Sequence, residues 1–307
     1  MRLALRARAF PVAAGWPIGA AAVAVIAFAF VLLPSTAKQH APAPIVQAQP
    51  AHPLTFFDDR AFAVALARTE AAEPNPMPGA RAVIVPHHWL AGHLILGGLR
   101  DLAASGDYRR IILIGPNHVN AGGAAVITSD IAWQTPFGSI EPDAEALQRV
   151  LSVGFAQSEP DVLTYEHSVA GIVPAIAYYL PEARLVPLAL RRDMTAGEVE
   201  RLAAALAPLL DSRTALVAAV DFSHYLSAEE AGQRDRETLA ALDSLDSSRI
   251  LSFGDDHLDS PASIAVLMET MRLTGAGEFQ LRESTNSSEL GGSALAPVTS
   301  YTYGYYR

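Results

Sequence analysis

Three histidines in this chain stand in the same kind of place. The stretch "AVIVPHH" (82–88) runs from Val83-Ile84-Val85 into His87, "RIILIGPNHVN" (110–120) runs into His118, and "ALVAAVDFSHY" (215–225) runs into Asp221 and His224. Each begins as a short, continuous apolar run, the pattern of a strand buried on both faces. Neutral imidazole is the commonest protein ligand for Zn, Fe and Cu. One histidine at a strand end is most simply a satisfied, partly buried side chain, whereas three at equivalent ends point to a shared metal site. His88 adjoins His87 and is expected on the opposite side, so one of the pair ligates. His93, a turn into the following helix, reads as a packing residue. His257 falls in the acidic loop "GDDHLDS" (254–260) and reads as solvated.

The chain has no cysteine, which excludes disulfides, thiolate ligands and a thiol nucleophile. A third ligand should then be a carboxylate, and Asp221, Asp259 and Glu166 are the candidates. Asp259 directly precedes Ser260, the expected N-cap of a helix, where the dipole favours negative charge and a capping role would suffice. Asp221 stands three residues before His224, so the two could be a base and its orienting group. Glu166-His167 precedes the apolar run 169–180 and could be a catalytic pair or a helix start.

These residues need a scaffold, and the rest of the sequence describes one. "LAGHLILGGLRDLAASG" (90–106) puts Leu90, Leu94, Ile95, Leu99 and Leu102 on one helical face and ends at Gly106. "EVERLAAALAPLL" (198–210) repeats the pattern with Val199, Leu202, Leu206 and Leu209. In "SPASIAVLMETMRLTG" (260–275), Ser260 is an N-cap, Pro261 fits the first turn and Gly275 closes the helix. Its stripe of Ile264, Leu267, Met268 and Met271 reads as core. "RLVPLAL" (184–190) is a further strand, and "TSYTYGYY" (299–306) places Tyr301, Tyr303 and Tyr305 on one face of another. Alternating strands and helices imply a mostly parallel sheet covered on both faces. In such sheets the ligand crevice lies beyond the carboxyl ends of the strands.

With 307 residues, half of them hydrophobic, the chain can bury one large α/β core. A net charge of −10, a pI near 5.3 and the lack of a basic stripe argue against a nucleic-acid partner and leave a small-molecule substrate. Residues 1–37 are set apart. Arg2, Arg6 and Arg8 precede the apolar run "PIGAAAVAVIAFAFVLLP" (17–34), the grammar of an export signal or a retained N-terminal membrane anchor. Either places the remainder outside the cytoplasm, periplasmic or secreted, with the membrane touched only through this segment; the rival reading is a buried core helix. Residues 38–53, rich in Pro and Ala, read as a tether in which His40 and His52 are solvated, and residues 54–307 form the α/β domain.

Six motifs then appear in a fixed order: "VPHHWLAGH", "LIGPNHVNAGG", "WQTPFGSIEPD", "YEHSVAGIVPAI", "AVDFSHY" and "TSY". Across about residues 82–303 the chain resembles the Memo-like family, also called AmmeMemoRadiSam system protein B. The resemblance implies a three-layer α/β/α sandwich around a mostly parallel or mixed sheet, LigB-like and related to the class III extradiol dioxygenases. It implies a strand-end site that can hold iron or copper. The metal histidine of the family's Pro-His-Ala-Gly motif matches His87, that of Gly-Pro-Asn-His matches His118, and the Asp-Phe-Ser-His motif matches Asp221 and His224. In the dioxygenase relatives a histidine near this last place acts as acid and base. One departure stands out: copper-binding members carry a cysteine just before the late helix, and this chain has Asp259 there. Two histidines and one carboxylate are the ligand set of non-haem Fe(II) enzymes, so Fe(II) is favoured over Cu, with Mn or Zn also compatible. His88 replaces a small residue of the family motif. The chemistry expected is that of a metal-dependent redox or oxygenase-like enzyme, with a hydrolase or a non-catalytic binding protein as alternatives.

Overall fold

The structure is a computed structural model that describes residues 50–291 and 297–307. The expected export segment 1–37 and most of the expected tether lie outside the described residues. Among the described residues no helix is long and apolar enough to cross a membrane.

The chain opens with β1 (Ala51–His52), α1 (Asp59–Thr69), β2 (Ala82–Val85), α2 (Gly92–Ala103) and β3 (Arg110–Pro116). Then come β4 (Val126–Thr128), β5 (Ala132–Thr135), β6 (Gly138–Ile140), α3 (Ala144–Leu151) and β7 (Ala156–Ser158). Three short helices, α4 (Pro160–Thr164), α5 (His167–Ala170) and α6 (Val173–Tyr179), lead to β8 (Arg184–Leu190), α7 (Ala196–Leu206) and β9 (Thr214–Ala219). The last elements are β10 (His224–Leu226), α8 (Ala228–Asp243), α9 (Ser247–Leu251), α10 (Pro261–Thr274), β11 (Phe279–Asn286) and β12 (Val298–Tyr306).

The main sheet runs β10-β12-β2-β9-β3-β8-β4-β7, with β11 also paired to β12. Its centre, β2-β9-β3-β8, is parallel, whereas β12 lies antiparallel to β2 and β4 antiparallel to β8. The sheet is therefore mixed. The apolar runs are continuous because alternate side chains enter two different cores. Val83, Val85, Ile111, Leu113, Ala215 and Val217 join the core under α2 and α6. Ala82, Ile84, Ile112, Ile114, Leu216 and Ala218 join the core under α7 and α10. A strand that must be apolar on both faces cannot alternate with polar residues. The result is an α/β/α sandwich.

Register explains why distant histidines meet. Val85 pairs with Ala219, so His87 and Asp221, each two residues further on, leave the sheet side by side. β3 is the other neighbour of β9, and His118 follows its last residue by two.

Local differences from the sequence reading have local causes. The helix expected from Leu90 begins at Gly92 after a 3-10 turn, which leaves Leu90 exposed. The apolar run 169–180 is divided between two helices, because Pro174 has no N–H and is placed in the first turn of α6. α10 matches its grammar: the Ser260 hydroxyl accepts from the Ser263 N–H at 3.3 Å, and Gly275 closes the helix at φ 72°. Tyr301, Tyr303 and Tyr305 are all buried in the α2-side core.

His52 is a correction. Read from sequence as a solvated tether residue, it is fully buried, stacked on Trp133 with centroids 3.8 Å apart, and its ring nitrogens lie 2.7 Å from Thr164 Oγ1 and 2.6 Å from Ser129 Oγ. Parallel pairing of β1 with β5 holds it there. Burial lowers its pKa from 6.5 to about 4, against the weaker opposing pull of Asp161. The unfolded chain thus takes up this proton at higher pH than the folded one. Stability is full above about pH 6.5 and falls as the pH drops towards 4, by up to about 3 kcal/mol from this ring. His52→Phe keeps an aromatic ring on Trp133 but removes the titration. Its denaturation midpoint should be lower at pH 7, where two hydroxyls lose their partner, yet flatter between pH 6.5 and 4. Parallel pH profiles for the two proteins would refute this.

Candidate metal centre

The Gly-Pro-Asn-His turn after β3 is built by close packing. A Cβ on Gly115 would lie 2.7 Å from Ser168 Oγ, so glycine is what allows α5 to approach the strand. The Ser168 hydroxyl donates to the Pro116 carbonyl at 2.8 Å, and the Asn117 side chain closes the turn on Ala121 through bonds of 2.7 and 2.9 Å. This contact brings Glu166, the N-cap of α5, to His118. Glu166 Oε2 accepts from the His118 backbone N–H at 2.9 Å, and Oε1 accepts from His118 Nδ1 at 2.8 Å and from the Ser168 N–H at 2.9 Å. Burial would raise the Glu166 pKa, but these donors and the His118 charge outweigh it and hold the carboxyl down to about 2. Both its oxygens accept hydrogen bonds that position His118 and the start of α5.

On the other side, His87 Nδ1 lies 3.1 Å from the Ala219 carbonyl. A carbonyl only accepts, so Nδ1 carries a hydrogen, and Nε2 is the ring nitrogen turned towards Asp259. The Asp221 carboxylate accepts from the His87 backbone N–H at 2.9 Å, while its main-chain carbonyl accepts from the Asp259 N–H at 3.2 Å. A bridge between Phe222 and Leu258 completes this join, which delivers Asp259 to the ends of β2 and β9.

Asp259 is the least satisfied group here. Its side chain is only 10% exposed, and neither carboxylate oxygen has a hydrogen-bond partner among the described residues. Its Oδ2 lies 3.3 Å from His87 Nε2 and 3.8 Å from His118 Nε2. The first contact is not made as a hydrogen bond, and the second is too long for one. Two donors 3.3 Å apart suit one cation held at about 2.0–2.2 Å from each. The site also draws positive charge by itself: burial alone would lower the His118 pKa, yet Asp259 and Glu166 together raise it to about 10. His167 stacks on His118 at 4.1 Å and meets His87 edge-on at 5.1 Å. Burial first, then the neighbouring His118 and His87, lower its pKa to about 4, so it is neutral at pH 7. Two sets of donors converge within 4.8 Å, His87-His118-His167 and His87-Asp221-Asp259, and either could hold a metal.

The sequence-derived candidates thus divide. His87, His118, Asp259, Asp221 and His167 come together, and Glu166 backs them. His224 lies on the wall of a cavity of about 220 Å³ that also takes in His118 and Asp259, but it is outside both donor sets. His88 turns away, with Nδ1 2.7 Å from the Tyr301 hydroxyl, and His93 faces Glu283 at 3.5 Å. His257, expected to be solvated, is buried and stacked on Phe253 at 3.9 Å, between Glu237 and Asp256. Sequence reasoning missed polar members of the cavity wall, among them Asn120, Arg192, Tyr225 and Asp255. Arg192 could have been found, since it follows β8 as His118 follows β3.

Fold and cluster together define a mixed-sheet α/β protein with histidines and carboxylates gathered where its central parallel strands end, able to hold a metal. Within that class, this chain belongs to the Memo-like family: residues 58–304 match the family described as Memo-like protein. It is similar to MEMO1 family protein MK0963 of Methanopyrus kandleri, 29% identical over 228 residues, 71% of this chain and 80% of the relative. The MEMO1 family protein of Caldivirga maquilingensis is 27% identical over 238 residues, 74% of this chain and 83% of its own. That of Aquifex aeolicus is 29% identical over 187 residues, 58% and 67%. The crystal structure of uncharacterized protein JW3007 from Escherichia coli K12 aligns over 73% of this chain and 99% of its own, at TM-score 0.49 and 14% identity.

The Asp259 carboxylate makes a stability prediction that is tested with Asp259→Asn in chelator-treated protein. Added divalent metal should raise the wild-type melting temperature with concentration and leave the variant where it was. If Asp259 served only the helix end, the variant would melt lower and keep the wild-type response to metal.

Proposed function

We propose that this chain is a metal-dependent redox protein, oxygenase-like in its ligand set, that acts on a small molecule. The observation that carries this reading is the Asp259 carboxylate, buried, without a hydrogen-bond donor, and 3.3 Å from Nε2 of His87. His87, His118 and Asp259 would hold the ion, and with two imidazoles, one carboxylate and no thiolate the set favours Fe(II) over copper, while Mn(II) and Zn(II) remain compatible. A redox-active ion bound there supplies electron transfer and open coordination positions for substrate.

The protein's own groups do the remainder. Glu166 fixes the tautomer and orientation of His118, the usual duty of a carboxylate behind a metal-binding imidazole. Asp221 sets the spacing of the His87 and Asp259 backbones. His224, whose buried Nδ1 has no partner and whose ring lines the cavity, is placed to exchange a proton with substrate, and neutral His167 is a second acceptor beside the cluster. We assign the domain to an extracytoplasmic setting on the strength of the segment 1–37, either as a signal or as a membrane anchor.

Protein purified anaerobically without a histidine tag should carry about one equivalent of divalent metal, lost in Asp259→Ala and shifted towards copper in Asp259→Cys. With a reductant present, the Fe(II)-loaded protein should consume O₂ faster than the metal-free protein or Asp259→Ala. Undiminished metal in Asp259→Ala would refute the ligand set. Turnover with Zn(II) and no O₂ uptake would replace the redox reading with hydrolysis.

A further inference from the structure

Residues 51–57 lie ahead of the stretch that matches the family, yet they pack onto α4 and α5, the two short helices that bring Glu166 and His167 to the metal centre. Helices of five and four residues do not hold themselves together in water, so their place is set by what they touch. Towards the sheet, α5 is pinned by Ser168 on Pro116 and by Glu166 on His118. A second set of contacts comes from the N-terminal stretch.

Thr164, the last residue of α4, is gripped twice. Its hydroxyl lies 2.7 Å from His52 Nδ1, and its carbonyl accepts from the Thr55 hydroxyl at 2.6 Å. His52 is itself fixed, because it is buried, paired through β1 to β5 and stacked on Trp133. Glu166 comes two residues after Thr164, and its N–H donates back to the Leu163 carbonyl of α4 at 3.3 Å. Phe56 meets α5 directly. Its ring lies 5.9 Å from that of His167, and its Cβ lies 3.7 Å from where a side chain on Gly171, the residue closing α5, would begin. The stretch therefore braces the turn that carries Glu166 from both sides.

We infer that residues 51–57 are a positioning strap for the metal centre. His52 and Thr55 fix the end of α4, Phe56 flanks His167, and together they keep Glu166 where it orients the His118 imidazole. Displacing the strap loosens the ion without removing any of its ligands, which couples the N-terminal segment to the affinity of the site. The inference rests on the metal centre proposed above and adds to it the residues that keep it in order.

The full-length chain carrying Thr55→Val and Phe56→Ala tests it, since both side chains are exposed and the fold should survive their loss. In chelator-treated protein, the amides of His118 and Ser168, the two backbone donors to Glu166, should exchange hydrogen several-fold faster than in the wild type. Amides of β9 should exchange as before. In calorimetric titration with Zn(II), well below the melting temperature, the dissociation constant should rise about tenfold, the lower end of what losing a group behind a metal-binding imidazole costs. Thr55→Ser, which keeps the hydroxyl, should match the wild type in both measurements. A strap that served stability alone would lower the melting temperature and leave the affinity of the folded protein unchanged. That result, or unchanged exchange at His118 and Ser168, would overturn the inference. Failure of the wild type to bind Zn(II) would count against the metal centre instead, with the exchange rates still deciding whether the strap holds α5.

Discussion

One hydrogen bond holds the centre of this molecule in register with its chemistry. The His87 N–H donates to the Asp221 carboxylate across the ends of β2 and β9. It is made where two parallel strands have stopped pairing with each other, so it extends their register by a further step. With it the His87 backbone is fixed while the ring is oriented by the Ala219 carbonyl, and the Asp221 carbonyl stays in place to receive Asp259. The central strands bring four segments to one spot, but backbone pairing alone would leave the loops after them free to diverge. Asp221 ties one pair of those loops together, and Glu166 does the equivalent for the turn of His118.

The arrangement concentrates negative charge. Glu166 is buried with both oxygens accepting hydrogen bonds and Asp221 is buried with one donor, the His87 N–H, whereas Asp259 is nearly as buried and has no hydrogen-bond donor. Charges removed from water are tolerated when they are paired. Glu166 meets that condition with two backbone amides and an imidazole, and Asp221 with one amide. Asp259 has only the His118 charge, 3.8 Å away and without a hydrogen bond, and this asymmetry separates the groups that build the site from the one left to act in it. The opposite displacements of the His118 and His167 pKa values arise from the same field. His118 touches carboxylates and is drawn towards the charged form, while its stacked neighbour is burdened by burial and by His118 itself.

Much of this was legible in the sequence because the signals were backbone signals. Apolar runs of β2, β3 and β9 give strands buried on both faces, and their carboxyl ends mark the crevice. The grammar of Ser260, Pro261 and Gly275 gives α10 to the residue. What was not legible depended on contacts between distant segments. His52 looked like part of a Pro-rich tether because its partners, Thr164, Ser129 and Trp133, lie on other elements. His257 stood in an acidic loop, and acidic loops are ordinarily wet; Phe253 and Glu237 enclose it only once α8 and α9 pack. Glu166 offered the types of a catalytic pair or a helix cap, and only geometry shows that it caps α5 and binds His118 at the same time.

The order of the donors along the chain has a consequence for biogenesis. His87 and His118 emerge early in synthesis, but the carboxylate that completes the set arrives with residue 259, and its position depends on a backbone link to the segment after β9. If His87, His118 and Asp259 hold the ion, a growing chain has no complete ligand set until residue 259 has folded back onto the segment after β9, and a fragment that stops short of α10 keeps only the histidine set His87-His118-His167.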